Sequence, residues 1–422
     1  MTKYTNSIGV KVPALLLPRP GVDMTKWAVV ACDQYTSQPA YWQETESIVG
    51  DAPSTLRIML PELYLDGPDE AERIASINAH MKEYMDTGIL ENKGEGFAYV
   101  RRTVDGKTRQ GLIVALDLED YEYSKGSTTL IRATEGTIVE RIPPRLRIRK
   151  DAPLEMPHIL VLIDDPGRTV IEPIGQQLER TEKLYDFDLM QGGGHIEGYL
   201  VKEPAQIQGA IQALEALIQP EAYRKKYGTD QAPLLFAMGD GNHSFATAKA
   251  NWERIKKEKG LTGQDEHPAR YALVELENVH DTGIIFEPIH RVMFGVPQDA
   301  LAWLQAKLAE QNGDCKLVTC PDLAAAKAAA AKESGHALPF VNQAGAGYLL
   351  VPQPAAQLEV GTLQNALDVM RTAFPDCTID YIHGEDVVLE LGSKPGNMGF
   401  LLPPMDKSAF FRTVIFDGAL PR

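Results

Sequence analysis

The 422-residue sequence has no apolar run long enough to span a membrane. A spanning helix needs about 20 consecutive apolar residues, and Pro13 and Pro18 interrupt the one apolar stretch near the N-terminus, which is also too short for a signal peptide. Cysteine is scarce, with four residues, and Cys315 and Cys320 have no second His/Cys pair nearby. We therefore expect a cytoplasmic protein with reduced thiols and no membrane partner, and nothing indicates zinc, haem or flavin.

Basic residues are also fewer than acidic residues. The chain has 42 lysines and arginines against 58 acidic residues, for a net charge of -16. Such a chain repels nucleic acid and anionic lipid unless a basic face compensates. The densest basic run, residues 145–150, is too short to provide one. The balance of charge therefore disfavours a nucleic-acid-binding function and favours a small-molecule ligand, while the oligomeric state stays open.

What the sequence does contain is typical of a globular protein of more than one domain. Hydrophobic residues make up 44% of the chain and charged residues 24%, and 422 residues exceed what one core usually supports. The patterning predicts an α/β to α+β fold: an N-terminal α+β region at 1–124, a central mixed domain at 125–296 and a C-terminal α+β region at 297–422.

Apolar periodicity and turn residues predict the individual elements. Helices are predicted at 69–84, 205–218, about 245–260, 300–308 and 323–332. Strands are predicted at 27–31, 128–132, 158–163, 233–238, 271–277, 284–288, 348–351 and 387–391, with an irregular basic segment after residue 132. Hairpins are predicted around Asp105-Gly106 and around the three glycines 192–194.

The segment that joins the 233–238 strand to the following helix is the main candidate site. Backbone N–H groups in the first turn of a helix lack partners, and the helix dipole adds partial positive charge there, so such a loop suits an anion and above all a phosphate. The candidate residues are Gly239, Asp240, Gly241, Asn242, His243 and Ser244. Asp240 is also a candidate metal ligand. The alternative is that Asp240 and Asn242 only cap the helix while His243 packs against its neighbours. No Walker motif is present.

Three ordered motifs resemble the domain of unknown function 1015 family. Residues 240–248, Asp-Gly-Asn-His-Ser-Phe-Ala-Thr-Ala, resemble its Asp-Gly-His-His-Arg-Tyr-x-Thr-Ala signature. Residues 131–137, Ile-Arg-Ala-Thr-Glu-Gly-Thr, resemble its Ile-Arg-Pro-His-Glu-Arg-Thr. Residues 277–283 and 287–291 resemble its Asn-Met-Glu-Asp-Pro-Gly and Pro-Thr-His-Arg stretches. The family usually continues beyond the equivalent of residues 420–422, so the resemblance also implies a shortened form or an absent C-terminal element.

The middle of this family is similar to the ParB/sulfiredoxin/free-serine-kinase superfamily, and that similarity implies a central ParB/sulfiredoxin-like domain. It implies a kinase that uses ATP or ADP with Mg²⁺ on a small, serine-like hydroxylated metabolite. Glu135 would be the catalytic base, beside Asp240 and His243, and the 239–244 loop would hold the phosphate. Ser244 stands where the family has arginine, which removes a bidentate phosphate contact unless His290 and Arg291 supply the charge. A sulfiredoxin-like activity is disfavoured, because Asn242 stands in place of the reactive cysteine.

Other residues are further candidates. Asp33 follows the predicted 27–31 strand and would bind ligand or cap a turn. His195 and Glu197 point to the same side of a strand, where they would bind a metal or line the cleft, or simply belong to a hairpin. Two alternatives to a kinase remain: a non-catalytic binding or regulatory protein that keeps the fold, and third a ParB-like nucleic-acid role that the charge disfavours.

Overall fold

The structure, a computed structural model, describes residues 4, 6–36, 38–124, 126–156, 158–382 and 384–420. The chain forms two compact units, Met1–Ile284 and Ile285–Arg422, called here the first and second unit. Strands from both sides of residue 124 share one sheet of the first unit, so the three-part division at residues 124 and 296 stays a prediction. Of the helices in the described ranges, none combines the length and the apolar character that crossing a membrane requires.

The first unit is a mixed α/β structure. Its strands are β1 (Val10–Lys11), β2 (Ala14–Pro18), β3 (Leu90–Glu95), β4 (Phe97–Val104), β5 (Lys107–Asp117), β6 (Tyr121–Glu122), β7 (Ile131–Arg132), β8 (Leu160–Ile163), β9 (Glu182–Asp188), β10 (His195–Val201), β11 (Phe236–Asp240) and β12 (Tyr271–Asn278). Its α-helices are α1 (Met24–Trp27), α2 (Pro39–Val49), α3 (Glu70–Asp86), α4 (Ile142–Arg149), α5 (Glu172–Gly175), α6 (Pro204–Leu217), α7 (Pro220–Tyr227) and α8 (Asn242–Lys259).

One large sheet organises this unit. Its order is β6-β7-β11-β8-β12-β5-β4-β10-β9. In addition, β1 pairs with the C-terminal end of β5. Strand β11 is antiparallel to β8 and parallel to β7, so the sheet mixes both directions, as a mixed α/β fold requires. Helices α6 and α8 supply Ile207 and Trp252 to the same core as Val161 and Met238 of the sheet. Strand β11 and the helix α8 that follows it are therefore packed into the same hydrophobic core.

Both hairpin predictions are confirmed. Strands β4 and β5 pair around Asp105 and Gly106, whose φ angles of 50° and 74° are those that a two-residue turn of this kind needs. Strands β9 and β10 pair on either side of the three glycines. The predicted 69–84 helix is α3, and it buries Ile77 and Met81 as the helical spacing requires.

Two predictions in the first unit are wrong. Residues 27–31 are not a strand. Trp27 is the last residue of the short helix α1, which the Asp23 side chain caps by accepting a hydrogen bond from the Thr25 N–H, and residues 28–31 are irregular. The basic segment after Arg132 is not irregular throughout, because it contains α4. Proline in the first turn suits that helix, since the N–H groups there have no helical partner.

The second unit has its own sheet and core. Its strands are β13 (His290–Phe294), β14 (Lys316–Cys320), β15 (His336–Asn342), β16 (Gly345–Val351), β17 (Thr378–Ile382) and β18 (Asn397–Phe400), in the order β14-β16-β15-β18-β13-β17. Its helices are α9 (Ala300–Asn312), α10 (Leu323–Ala330), α11 (Glu359–Ala373), α12 (Glu385–Gly392) and α13 (Lys407–Asp417).

Two further strand predictions are wrong, one within this unit and one where it begins. Residues 387–391 belong to helix α12, whose Gly392 lies so close to β18 that an added Cβ would come within 2.7 Å of the Gly399 nitrogen. Residues 284–288 are irregular, and the strand begins only at His290. Pro288 has no N–H to donate to a strand partner, which explains why this short apolar run does not pair.

Candidate functional site

The chain turns sharply between the end of β11 and the start of α8. Gly241 occupies the turn with a φ of 81°, a left-handed conformation that favours glycine. A Cβ added there would lie 3.1 Å from the Ile159 side chain. Both the backbone angle and the limited space therefore favour glycine at position 241.

Among the residues that the structure describes, no side chain caps the start of α8. The Asp240 carboxylate accepts a hydrogen bond from the neighbouring Gly241 N–H at 2.7 Å, before the helix begins. The alternative in which Asp240 or Asn242 caps the helix is therefore not what the structure has. The first turn keeps the partial positive charge and the N–H groups that suit an anion.

Asn242 instead fastens the loop to the segment that follows β7. Its Oδ1 accepts from the Thr134 N–H at 3.0 Å, and its Nδ2 donates to the Thr134 hydroxyl at 3.3 Å. That hydroxyl in turn donates to the Met238 carbonyl at 2.7 Å. Because Asn242 and Thr134 are both buried, these bonds hold the two segments together where water does not compete.

His243 makes the second connection to the same segment, and Glu135 lies between the two. The Ile138 N–H donates to His243 Nε2 at 3.3 Å, while Thr134 is held by Asn242. Glu135 is exposed on the short stretch between these two contacts. Glu135 therefore lies on the segment that the loop holds, and its partnership with the loop stays a prediction.

Ser244 has a partner that sequence reasoning missed. Its hydroxyl lies 2.8 Å from His158 Nε2, and both residues are half-buried. His158 precedes β8, the strand that pairs with β11. The signal in the sequence was its place as the first residue of the predicted 158–163 strand. Recognising the contact required knowing which strand lies beside β11.

Asp33 lies close enough to Asp240 to affect its ionisation. Desolvation by surrounding protein raises the pKa of the Asp240 carboxyl even though the residue reaches solvent, and the negative charge of Asp33 raises it further. The Gly241 N–H and His158 act in the opposite direction. The structure therefore brings Asp33, His158 and Asp240 to the same place as the loop.

His195 and Glu197 lie elsewhere in the first unit. Strand β10 is five positions from β11 in the sheet, roughly 24 Å along it at about 4.8 Å per strand. Ligand atoms of His195, Glu197 and Asp186 lie within 4.8 Å of one another. Cations already contact both carboxylates, with Lys183 at 2.5 Å from Asp186 and Arg101 at 3.3 Å from Glu197. A hydrogen bond to Asp188 also raises the pKa of His195. These residues therefore form an ion-pair network in which Asp186 is exposed and His195 and Glu197 are half-buried, and the metal-binding role of His195 and Glu197 stays a prediction.

His290 and Arg291 belong to the second unit, where both are buried in β13. His290 Nδ1 accepts from the Leu402 N–H at 3.1 Å, and Arg291 Nε donates to Gln364 Oε1 at 2.9 Å. These contacts explain why a histidine and an arginine lie inside this sheet. The proposed supply of positive charge to the loop from these two residues stays a prediction.

The motif at 277–283 forms a buried polar cluster within the first unit. Asn278 donates to the Asp165 carbonyl and to Glu172 Oε1, at 2.8 and 2.9 Å. Glu277 Oε1 lies 2.7 Å from Arg109 Nε. Burial and the nearby Glu275 carboxylate raise the pKa of Glu277. The contacts of Asn278 and Glu277 tie the end of β12 to its surroundings.

Comparison with known proteins assigns the family. The model of the family described as "Protein of unknown function (DUF1015)" matches residues 16–370. The chain belongs to this family. No curated protein matches it.

Three solved structures are distantly similar to this member of the DUF1015 family. A conserved hypothetical protein from Pyrococcus furiosus is 11% identical, over 73% of this chain and 86% of that one, with a TM-score of 0.32. A mutant free serine kinase in complex with AMP is 9% identical, over 73% and 84%, with a TM-score of 0.36. SbnI with a C-terminal truncation from Staphylococcus aureus is 13% identical, over 73% and 79%, with a TM-score of 0.35. Likenesses this distant carry no argument about function.

Proposed function

We propose that this DUF1015 protein is a nucleotide-dependent phosphotransferase that acts on a hydroxyl group of a small, serine-like metabolite. The observation that carries the proposal is the start of α8, where no side chain of the described residues forms a cap and where Asn242 and His243 hold the segment that carries Glu135. Phosphoryl transfer depends mainly on positioning and on neutralising charge, and a helix start offers both to a phosphate group.

Each residue has a role that its contacts support. The N–H groups of the first turn of α8 hold the phosphate, and Gly241 provides the left-handed turn that leads into them. His243 Nε2 accepts a hydrogen bond from the Ile138 N–H, which holds the ring at the start of α8. Glu135 is exposed and carries no hydrogen bond within the described chain. It is therefore free to orient or deprotonate the substrate hydroxyl.

Asp240 is the residue that would hold Mg²⁺ together with nucleotide phosphate oxygens, since Mg²⁺ sites of this type use one or two carboxylates. The surroundings of Asp240 fit this role. Burial and Asp33 disfavour its ionised form, and a divalent cation would reverse that preference. The metal would offset the charge of the phosphates, which this acidic chain otherwise repels.

Calorimetry with ATP or ADP and Mg²⁺ tests the proposal. We expect binding that Asp240→Ala and His243→Ala abolish, whereas Glu135→Gln retains nucleotide binding and loses phosphate transfer to hydroxyl compounds. Absence of heat with either nucleotide would show that the loop is not a nucleotide site.

A second candidate function is a non-catalytic binding or regulatory protein. The observation in its favour is Ser244, whose hydroxyl is bonded to His158 where the family signature has arginine, so the loop lacks a bidentate phosphate contact. In that case Glu135→Gln would change neither ligand affinity nor any cellular phenotype, and no turnover would be measured.

A further inference from the structure

A cleft with a volume of about 450 Å³ opens in the first unit. Its walls come from Asp33 and its neighbours, from the segment around Glu62 and from the residues at the start of α4. The volume lies within the roughly 300–1,000 Å³ that is typical of small-molecule sites.

One wall of this cleft continues into the segment that contacts the 239–244 loop. The Ile138 N–H donates to His243 Nε2, and the chain then continues directly into Glu140 and Arg141 of the cleft wall. Helix α4, which follows, lies against α8. The cleft wall and the start of α8 are therefore joined by this one short segment.

Several charges of the cleft are already paired. Arg145 contacts Glu62, and Arg147 of α4 lies 2.6 Å from Asp66. These pairs hold α4 against the segment around Glu62 and leave little net charge of their own.

Three charges of the cleft remain without an ion pair in the described ranges: Asp33, Glu140 and Arg141. Asp33 has one weak contact, a 3.4 Å hydrogen bond from Gln34 Nε2, and no side-chain bond of Glu140 or Arg141 occurs there. These carboxylates are not part of any metal-binding cluster of described residues. The chemistry that complements two separated carboxylates and one guanidinium is an ammonium group and a carboxylate on the same small molecule.

We propose that this cleft binds the ammonium and carboxylate groups of a hydroxylated amino acid, with the ammonium between Asp33 and Glu140 and the carboxylate on Arg141. This proposal builds on the proposed phosphotransferase, since it names the class of substrate whose hydroxyl faces Asp240 and the start of α8. It concerns amino-acid binding alone, which can be measured without nucleotide.

Calorimetry on the full chain, without nucleotide, compares three probes that differ by one group each. L-serine carries the ammonium, the carboxylate and the hydroxyl, whereas L-glycerate, of the same configuration, has a hydroxyl in place of the ammonium and ethanolamine lacks the carboxylate. We expect serine to bind at least about tenfold more tightly than either analogue, because each analogue lacks one of the two charged groups and forfeits its charge-assisted hydrogen bonds.

Variants assign the two ends of the ligand. Glu140→Gln and Asp33→Asn should each weaken serine about tenfold and leave glycerate unchanged. Arg141→Met should weaken serine while leaving ethanolamine unchanged. Glu72→Gln, which removes an exposed carboxylate of α3, is the matched control and should change nothing.

The outcomes separate this proposal from the phosphotransferase. Failure of ADP to bind with Mg²⁺, with serine binding that Glu140→Gln weakens, would reject the kinase and keep the amino-acid site. Equal affinities for serine and glycerate, no binding of serine, or a serine affinity that Glu140→Gln does not change would overturn the proposal. A Glu140→Gln variant that weakens ADP rather than serine would assign the cleft to the nucleotide and overturn it as well.

Discussion

Asn242 is a residue type that often caps a helix, but here its amide binds Thr134 instead. Its amide bonds twice to Thr134 in a buried setting, and Thr134 bonds on to β11. An ionised aspartate at the same place could accept from the Thr134 N–H but could not donate to its hydroxyl. The amide of Asn242 makes both bonds, and they position the loop against the segment that carries Glu135.

We predict that Asn242→Ala lowers the free energy of unfolding by about 2 kcal/mol, because it leaves the buried Thr134 N–H without its partner. Urea denaturation measures the change. Ser244→Ala, in the same turn of α8, removes only a half-buried hydroxyl that bonds to His158 and should cost less than about 1 kcal/mol. Equal losses for the two variants would mean that the Asn242 contacts contribute no more than an ordinary partly exposed hydrogen bond.

The raised pKa of Glu277 predicts that the stability of the protein depends on pH. Its folded pKa is raised by burial and by Glu275, while its unfolded value is near 4.5. Between those two values the folded state binds more protons than the unfolded state, so this residue lowers stability as pH rises. We expect the stability of Glu277→Gln relative to the parent protein to increase from weakly acidic to weakly alkaline pH in urea denaturation. Parallel pH profiles for the parent and Glu277→Gln would contradict this, and Glu72→Gln controls for the loss of one negative charge.

At the scale of elements, helix α8 begins and ends with a glycine in the left-handed region. Gly241 has a φ of 81° and Gly260 a φ of 65°, but only at Gly241 would an added Cβ meet another residue within 4 Å. We predict that alanine at either position costs about 1 kcal/mol of stability from backbone strain. Only Gly241→Ala should also weaken ADP binding, by about tenfold, since its Cβ displaces the loop. Calorimetry of both variants provides the comparison, and equal ADP affinities would place the nucleotide away from this loop.

The elements that sequence predicted best are those whose own residues determine them. Helix α3 and the Asp105-Gly106 hairpin follow from spacing and from turn geometry, which are local. The run at 387–391 has the residues of a strand, yet it is a helix because Gly392 lets it pack closely on β18. That choice depends on a tertiary contact, which propensity cannot supply.

The same division holds for the candidate site. The 239–244 loop was found because its glycines and polar residues are consecutive. Glu135 came from the family resemblance, not from any local pattern. His158, Glu140 and Arg141 were missed, because the order of strands β7, β11 and β8 brings their segments together, and that order is not encoded by any one segment.

At the scale of the whole molecule, the candidate residues are unequally divided between the two units. The loop, Glu135, Asp33, His158 and the cleft all lie in the first unit, which has its own ten-stranded sheet within the described residues and its own core. His290 and Arg291 lie in the second unit, and each has local partners there. A fragment that contains only the first unit therefore tests directly the phosphate-binding role predicted for these two residues.

We predict that a fragment of residues 1–284 folds cooperatively and binds ADP with Mg²⁺ as tightly as the full chain, because it retains a complete core and every contact of the loop described above. Urea denaturation followed by circular dichroism establishes folding, and calorimetry then compares the two affinities. The Asp240→Ala form of the fragment is the control and should not bind. A fragment that folds but binds ADP at least about tenfold more weakly would show that residues after 284 contribute to the phosphate site, and His290 and Arg291 would then be the first to substitute in the full chain.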